Sequence, residues 1–272
     1  MRVHIGYHQF WPKHGLVEHN VSVIEDATAR VPCDLLIFPE LSTTGYLFEN
    51  PAALHRLAEE IPGGTSVARL RNASHRSGIS LIVGLAERYR DRIYNSSLLI
   101  TPDGSLGLYR KVHLFDREKD LFHRGNLGFP VFRVQDFVVG MMICFDWIFP
   151  EACRTLALRG ADLIAHPANL VLPYCPNAMI TRAIENSVFT VTCNRTGDER
   201  CGETHLRFIG SSRIVSPTGV VIAESDTSSE DLRVHALDPH QSRDKQITAR
   251  NHLFEDRSVQ SYRTTRAIRR LH

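Results

Sequence analysis

Short apolar runs alternate with stretches of helical period along the whole chain. RVHIGYHQF, near the N-terminus, leads to a helix-like stretch near residues 18–30 and then to the apolar run DLLIFPE, which ends on Glu40. FVVGMMICF, from Phe137, leads to a helix-like stretch near residues 150–159 and then to DLIAHPA. Each half continues through another helical stretch to a further apolar run, ISLIVGLAE in the first and VFTVTCN in the second. Each then shows a hairpin around a Pro-x-Gly turn, SSLLITPDGSLGLYRK and GSSRIVSPTGVVIAES. Strand-like and helix-like segments in this order predict an α/β fold. The same order occurs twice, within about 100 residues each time. It predicts two half-units, each a sheet with helices on one face. Packed sheet against sheet, they form a four-layer α-β-β-α sandwich. The halves share few identities, so the echo speaks for common architecture rather than duplication. No Gly/Ser/Pro-rich linker divides the chain, and residues 1–272 read as one domain, with 239–272 a polar C-terminal tail.

Composition narrows the function classes. With 272 residues, 43% apolar and 23% charged, the chain can bury a sizeable core. A formal net charge of +2 is too small to argue for nucleic acid or a membrane surface as partner. No apolar run has the length of a membrane span. The basic end, residues 263–272, reads as a solvated terminus. The N-terminus reads as a strand rather than a signal peptide, which makes the cytoplasm the expected compartment. Six cysteines (Cys33, Cys144, Cys153, Cys175, Cys193, Cys201) form no CxxC pair. Free thiols are therefore expected rather than disulfides, and no His/Cys cluster has zinc-ligand spacing.

Three residues stand out chemically, and each has a plain alternative. Glu40 closes a run too apolar for an exposed strand, at the rim of a sheet; it is either a solvated strand-end carboxylate or a functional one. Lys111 follows the strand LGLYR. Arg110 and Lys111 point to opposite faces of a strand, so one of them faces inward and needs a carboxylate partner; otherwise Lys111 snorkels from an edge strand. Cys144 ends FVVGMMIC, shortly before a helix that starts at Pro150. It is either an inert packing thiol or a nucleophile in the positive field of a helix start, which favours thiolate. Together the three are complementary. A thiol nucleophile needs a base, which a glutamate supplies, and attack on a carbonyl or nitrile carbon builds negative charge that a fixed lysine stabilises.

The motifs around these residues resemble those of the nitrilase superfamily of carbon–nitrogen hydrolases: DLLIFPELSTTGY around Glu40, YRKVHLF around Lys111, and MMICFDWIFPEACRTLALRGADLIAHPANL around Cys144. TRAIENSVFTVTCNRTG at 181–197 and FIGSSRIVSPTG at 208–219 extend the likeness over nearly the whole chain. The resemblance implies a Glu–Lys–Cys triad at Glu40, Lys111 and Cys144. It also implies a second active-site glutamate at Glu118, an oxyanion donor in the backbone N–H of Phe145, and a substrate contact at Asn169. Trp147 and Tyr46 are further candidates that, as aromatics at strand ends, are more often packing residues. His113, His123 and His166 read as local structural histidines. The expected reaction is hydrolysis of a small linear amide to acid and ammonia, with a nitrile as the alternative substrate and no metal or organic cofactor. A homodimer or larger assembly is implied, with the tail suited to contacts between subunits.

Two positions depart from the family pattern. Arg124-Gly125 stands where Pro-Gly is common, and Phe145-Asp146 follows the cysteine where nitrilases proper usually carry Trp-Glu. The second difference, with the absence of a long C-terminal extension, tilts the reading toward the amidase-like, short prokaryotic branches. The intact triad argues against the competing idea of a binding module that kept the fold without turnover.

Overall fold

The computed structural model describes residues 2–262, so the basic run 263–272 lies outside the described residues. The first half contains β1 (Val3–Gln9), α1 (Val17–Arg30), β2 (Leu35–Ile37), α2 (Pro51–Leu57), α3 (Thr65–Ser77), β3 (Ser80–Tyr89), β4 (Arg92–Ile100) and β5 (Leu106–Arg110). A short helix, α4 (Glu118–Leu121), and β6 (Val131–Val134) lead to the second half. There follow β7 (Phe137–Met141), a 3-10 turn (Cys144–Ile148), α5 (Pro150–Leu158), β8 (Leu163–Pro167), α6 (Cys175–Asn186) and β9 (Phe189–Cys193). A small hairpin, β10 (Asp198–Cys201) and β11 (Thr204–Arg207), precedes β12 (Arg213–Val215), β13 (Val221–Glu224), β14 (Asp231–Leu237) and α7 (His240–Arg243).

The repeated sequence order becomes a repeated topology. One six-stranded sheet has the order β14-β1-β2-β3-β4-β5, the other β13-β12-β9-β8-β7-β6. In each, three parallel strands (β1, β2, β3; β7, β8, β9) are followed by an antiparallel hairpin (β4, β5; β12, β13). The Pro-x-Gly turns close both hairpins, with Gly104 at φ +83° and Gly219 at φ +84°. An extra antiparallel strand completes each sheet beside its first strand. In the second half it is the local β6; in the first it is β14, which returns from the far end of the chain to pair with β1.

Side-chain period explains the layers. In β2, Leu35 and Ile37 join Val3, Ile5 and Tyr7 of β1 and Val139 and Met141 of β7 in one buried cluster between the sheets. Leu36 points the other way, into a cluster with Ile24 of α1 and Val67 and Leu70 of α3. Helices α5 and α6 cover the second sheet through Cys153, Leu156 and Met179. The result is the four-layer α-β-β-α sandwich that the sequence predicts. The described part of the C-terminal tail packs on its own chain. Arg243 Nη2 lies 2.9 Å from Asp162 Oδ2, and Lys245 Nζ donates to the carbonyls of Asn186 and Ser187, at the end of α6.

Candidate active site

The residues singled out in the sequence come from three strand ends. The chain leaves β2 through Phe38 and Pro39, and Glu40 sits in the turn beyond. Here the backbone passes so close to β3 that a Cβ on Gly84 would lie 2.4 Å from Pro39 O and 2.6 Å from Glu40 Cα. Only glycine fits between the strand and the carboxylate-bearing turn.

Lys111 extends β5, its N–H donating to Asn95 O at 2.8 Å. Arg110 and Lys111 do point to opposite faces, yet both are buried, because each finds acids: Arg110 with Glu87, and Lys111 with Glu40 and Glu118. Gly125 crosses over this backbone and donates its N–H to Lys111 O at 2.9 Å. A Cβ on Gly125 would stand 2.0 Å from Arg110 O. The Arg124-Gly125 departure therefore keeps the glycine that close approach requires, while Arg124 Nε donates to Val112 O at 3.2 Å.

Cys144 begins the 3-10 turn after β7, with φ +42°, a left-handed conformation unfavourable for a side chain larger than glycine. Two neighbours hold the turn. Asp146 Oδ2 accepts from the Ile143 N–H at 2.8 Å and from the Tyr109 hydroxyl at 2.6 Å, tying the turn to β5 of the other sheet. His166 Nε2 lies 2.9 Å from the Cys144 carbonyl oxygen. The aspartate that replaces the usual glutamate is thus fully engaged in shaping the turn.

The charged groups form one buried network. Lys111 Nζ donates to Glu40 Oε1 at 2.6 Å and to Glu118 Oε1 at 2.7 Å. Asn95 Nδ2 donates to the same Glu40 oxygen at 2.7 Å, whereas Glu40 Oε2 is buried with no hydrogen-bond partner among the described residues. Glu118 is held at both oxygens: Oε1 also accepts from the Tyr46 hydroxyl at 2.9 Å, and Oε2 accepts from the Phe115 N–H at 3.0 Å. Burial alone would lower the Lys111 pKa; the Glu118 and Glu40 carboxylates outweigh it and hold the ammonium well above the ordinary lysine range. Burial, with the Glu40 charge adding to it and Lys111 opposing, pushes Glu118 up to about 7. Burial also raises the Cys144 thiol well above the usual cysteine range; Glu40 adds to this, while Lys111 and the Asn169 backbone N–H oppose it. A thiolate-favouring helix field is therefore not what the structure provides. The long helix starts only at Pro150, and Cys144 is a neutral thiol that needs a base.

A cavity of about 210 Å³ opens over the sulfur, lined by Cys144, Phe145, Trp147, Asn169 and Leu172 among others. A smaller one of about 60 Å³, sharing Phe115, Asn169 and Val171 with it, reaches Tyr46 and Glu118. Asn169 is buried, and its amide N and O have no hydrogen-bond partner among the described residues. His113 bonds to Asp146 and stacks on Phe149, and His123 packs against Tyr94, so both are local, as expected. Tyr46 is more than a packing residue, since its hydroxyl reaches Glu118. Sequence reasoning also missed Asn95 and the Arg195–Glu199 pair, whose buried carboxylate accepts the N–H groups of Tyr46 and Leu47 and so fixes the loop that carries Tyr46. Arg195 lies in the family-like stretch TRAIENSVFTVTCNRTG, but nothing in the sequence marks its partner.

This geometry matches a known family. Residues 4–246 match the carbon–nitrogen hydrolase family model, and the chain belongs to that family. A nitrilase of Pyrococcus abyssi is 46% identical over 84% of this chain and 86% of its own length. An (R)-stereoselective amidase of a Pseudomonas species is 36% identical over 73% of this chain and 71% of its own. Among solved structures, the carbon–nitrogen hydrolase of Helicobacter pylori superposes with a TM-score of 0.80 at 25% identity, over 89% of this chain and 92% of that one. A nitrilase-superfamily amidase from Nesterenkonia superposes with a TM-score of 0.78 at 27% identity, over 90% and 95%. The chain is a carbon–nitrogen hydrolase, with Cys144 buried at the position expected of the nucleophile.

Proposed function

We propose that the chain hydrolyses a small linear amide to the acid and ammonia, through a thioester on Cys144. One observation carries the reading: a fully buried lysine clamped between two carboxylates, beside a buried thiol, with one Glu40 oxygen left without a partner among the described residues. Glu40 takes the thiol proton as the sulfur attacks the carbonyl carbon. Lys111 and the Phe145 N–H receive the charge that develops on the carbonyl oxygen; as the second residue of its turn, Phe145 has an N–H without an intrahelical acceptor. Glu40 then gives its proton to the departing nitrogen, and ammonia leaves. Water, deprotonated by Glu40, attacks the thioester, and the proton returns to sulfur as the acid is released. Glu118, held by Tyr46 and the Phe115 N–H, positions Lys111. Asn169, whose amide lines the cavity with no partner among the described residues, meets the substrate in this reading. In a glutamate-to-glutamine variant of the Nesterenkonia amidase the active-site cysteine takes covalent addition of the acetamide moiety of fluoroacetamide, which supports a nucleophilic sulfur at a cysteine so placed.

The Pyrococcus relative favours a second reading, in which a nitrile enters the same cycle as a thioimidate and takes up two waters. Matched amide and nitrile panels assayed for ammonia separate the two. Cys144→Ala should abolish ammonia release with an unchanged circular dichroism spectrum; turnover near wild type would sink the assignment. A homodimer is proposed with it, since Leu158 of α5, Ile184 of α6 and Val220 leave apolar side chains exposed on the helical face of the second half. Sedimentation velocity reads that directly. Free thiols at all six cysteines suit a cytoplasmic enzyme.

A further inference from the structure

We infer that the amides this site accepts carry an uncharged, apolar acyl group, and that acyl chains ending in a carboxylate or an ammonium are rejected. The inference rests on the amidase reading above and goes on to the chemistry of the acyl half. Among the described residues, no charged side chain lines the cavity over Cys144. It is lined by Phe115, Phe145, Trp147, Leu170 and Val171, and Asn169 is the one polar side chain on its inner surface. Lys111 is not part of this wall and is already paired with two carboxylates.

The apolar character continues out to the mouth. Ile148, Leu172 and Tyr174, at 44%, 49% and 64% exposure, form the rim. Large apolar side chains left in water around a concave site mark a surface that binds apolar groups. An acyl chain leaving the cysteine therefore meets apolar walls first and an apolar rim afterwards. A terminal charge would lose its water in the cavity and gain no counter-ion.

The other directions do not rescue a charged chain. The smaller cavity next door, about 60 Å³, has room for water but not for an acyl chain, and it sets Asp116 and Glu118 beside Arg117. Arg56, Arg117 and Arg200 do line one concavity, but that one does not include Cys144. Basic side chains for a carboxylate exist on the molecule, but none of these three lines the cavity over the sulfur.

The test compares amides of similar length: pentanamide, the monoamide of succinic acid, and 4-aminobutanamide. With the wild-type chain, kcat/KM for pentanamide should exceed that for either charged amide by about 100-fold. Equal or better turnover of the succinic monoamide overturns the inference, and loss of that turnover in Arg117→Ala would locate the carboxylate at the arginine concavity instead. Leu172→Arg, at the exposed rim, should narrow the gap by raising kcat/KM for the succinic monoamide. Binding to the Cys144→Ala protein, read by calorimetry, separates this inference from the amidase reading. Pentanamide binding without the charged pair supports it even if no amide is turned over, and charged amides binding equally well refute it while leaving catalysis by Cys144 intact.

Discussion

The ring of His166 donates from Nε2 to the carbonyl oxygen of Cys144, 2.9 Å away. A carbonyl only accepts, so Nε2 carries the hydrogen, and Nδ1 accepts from the Thr192 hydroxyl at 3.1 Å. The histidine thus holds the nucleophile's backbone in its left-handed turn as a neutral ring, and burial keeps it neutral by lowering its pKa to about 4.

That pairing predicts two effects. His166→Ala should lower kcat by about tenfold with little change in KM, because a displaced nucleophile costs reactive geometry rather than binding. His166→Gln, which can still donate to the carbonyl, should recover part of the loss. The ring also fixes the sign of an acid effect. The unfolded chain takes up a proton on His166 near pH 6.5, while the folded chain does not until about pH 4. Its contribution to stability is therefore complete above pH 6.5 and is lost between 6.5 and 4, by about 3 kcal/mol. Urea titrations of wild type and His166→Gln across that range should differ by this amount, the difference in stability growing as pH rises from 4 to 6.5.

Glu118 runs the opposite way. Its folded pKa of about 7 lies above the ordinary 4.5, so the folded chain holds the extra proton between those values and loses relative stability as pH rises through them. In activity, kcat/KM should fall on the acid side with an apparent pKa near 7. Glu118→Gln should move that limb to lower pH and reduce kcat by about 10- to 100-fold. Tyr46→Phe removes one hydrogen bond to the same carboxylate and should lower kcat by about fivefold, the equivalent of about 1 kcal/mol. An unaltered acid limb in Glu118→Gln would show that another group titrates there.

Gly125→Ala puts a methyl where Arg110 O already lies 2.0 Å away, so the crossing segment or the end of β5 must move. A loss of at least about 2 kcal/mol in stability is expected, with kcat reduced because Lys111 moves with its backbone. Chemical denaturation and ammonia release together check this; normal values for both would show that the crossing relaxes freely.

Much of this was legible in the sequence, for identifiable reasons. The repeated order of strands and helices followed from periodicity and Pro-x-Gly turns, which act locally. Glu40, Lys111 and Cys144 were visible because charged or reactive groups closing apolar runs are conspicuous, and because family-like motifs surround them. Asn95, the Tyr46 hydroxyl and the Arg195–Glu199 pair were not, since their meaning depends on partners 55, 72 and 153 residues away along the chain. The thiol's ionisation was left open by the sequence: a nearby helix start allows a lowered pKa, whereas burial beside two carboxylates, set only by tertiary packing, raises it.

The return of β14 to the edge of β1 has a mechanical consequence. The strand that closes the first sheet belongs, in chain order, to the second half, so the two halves are clasped rather than merely stacked. Neither half can peel away without unzipping a strand from the other, and the proposed triad spans the two: Glu40 and Lys111 lie at the rim of one sheet and Cys144 at the rim of the other. Catalytic alignment and the integrity of the clasp therefore rise and fall as one cooperative unit. A chain severed between β5 and β6 would be expected to regain activity only when both fragments refold around each other.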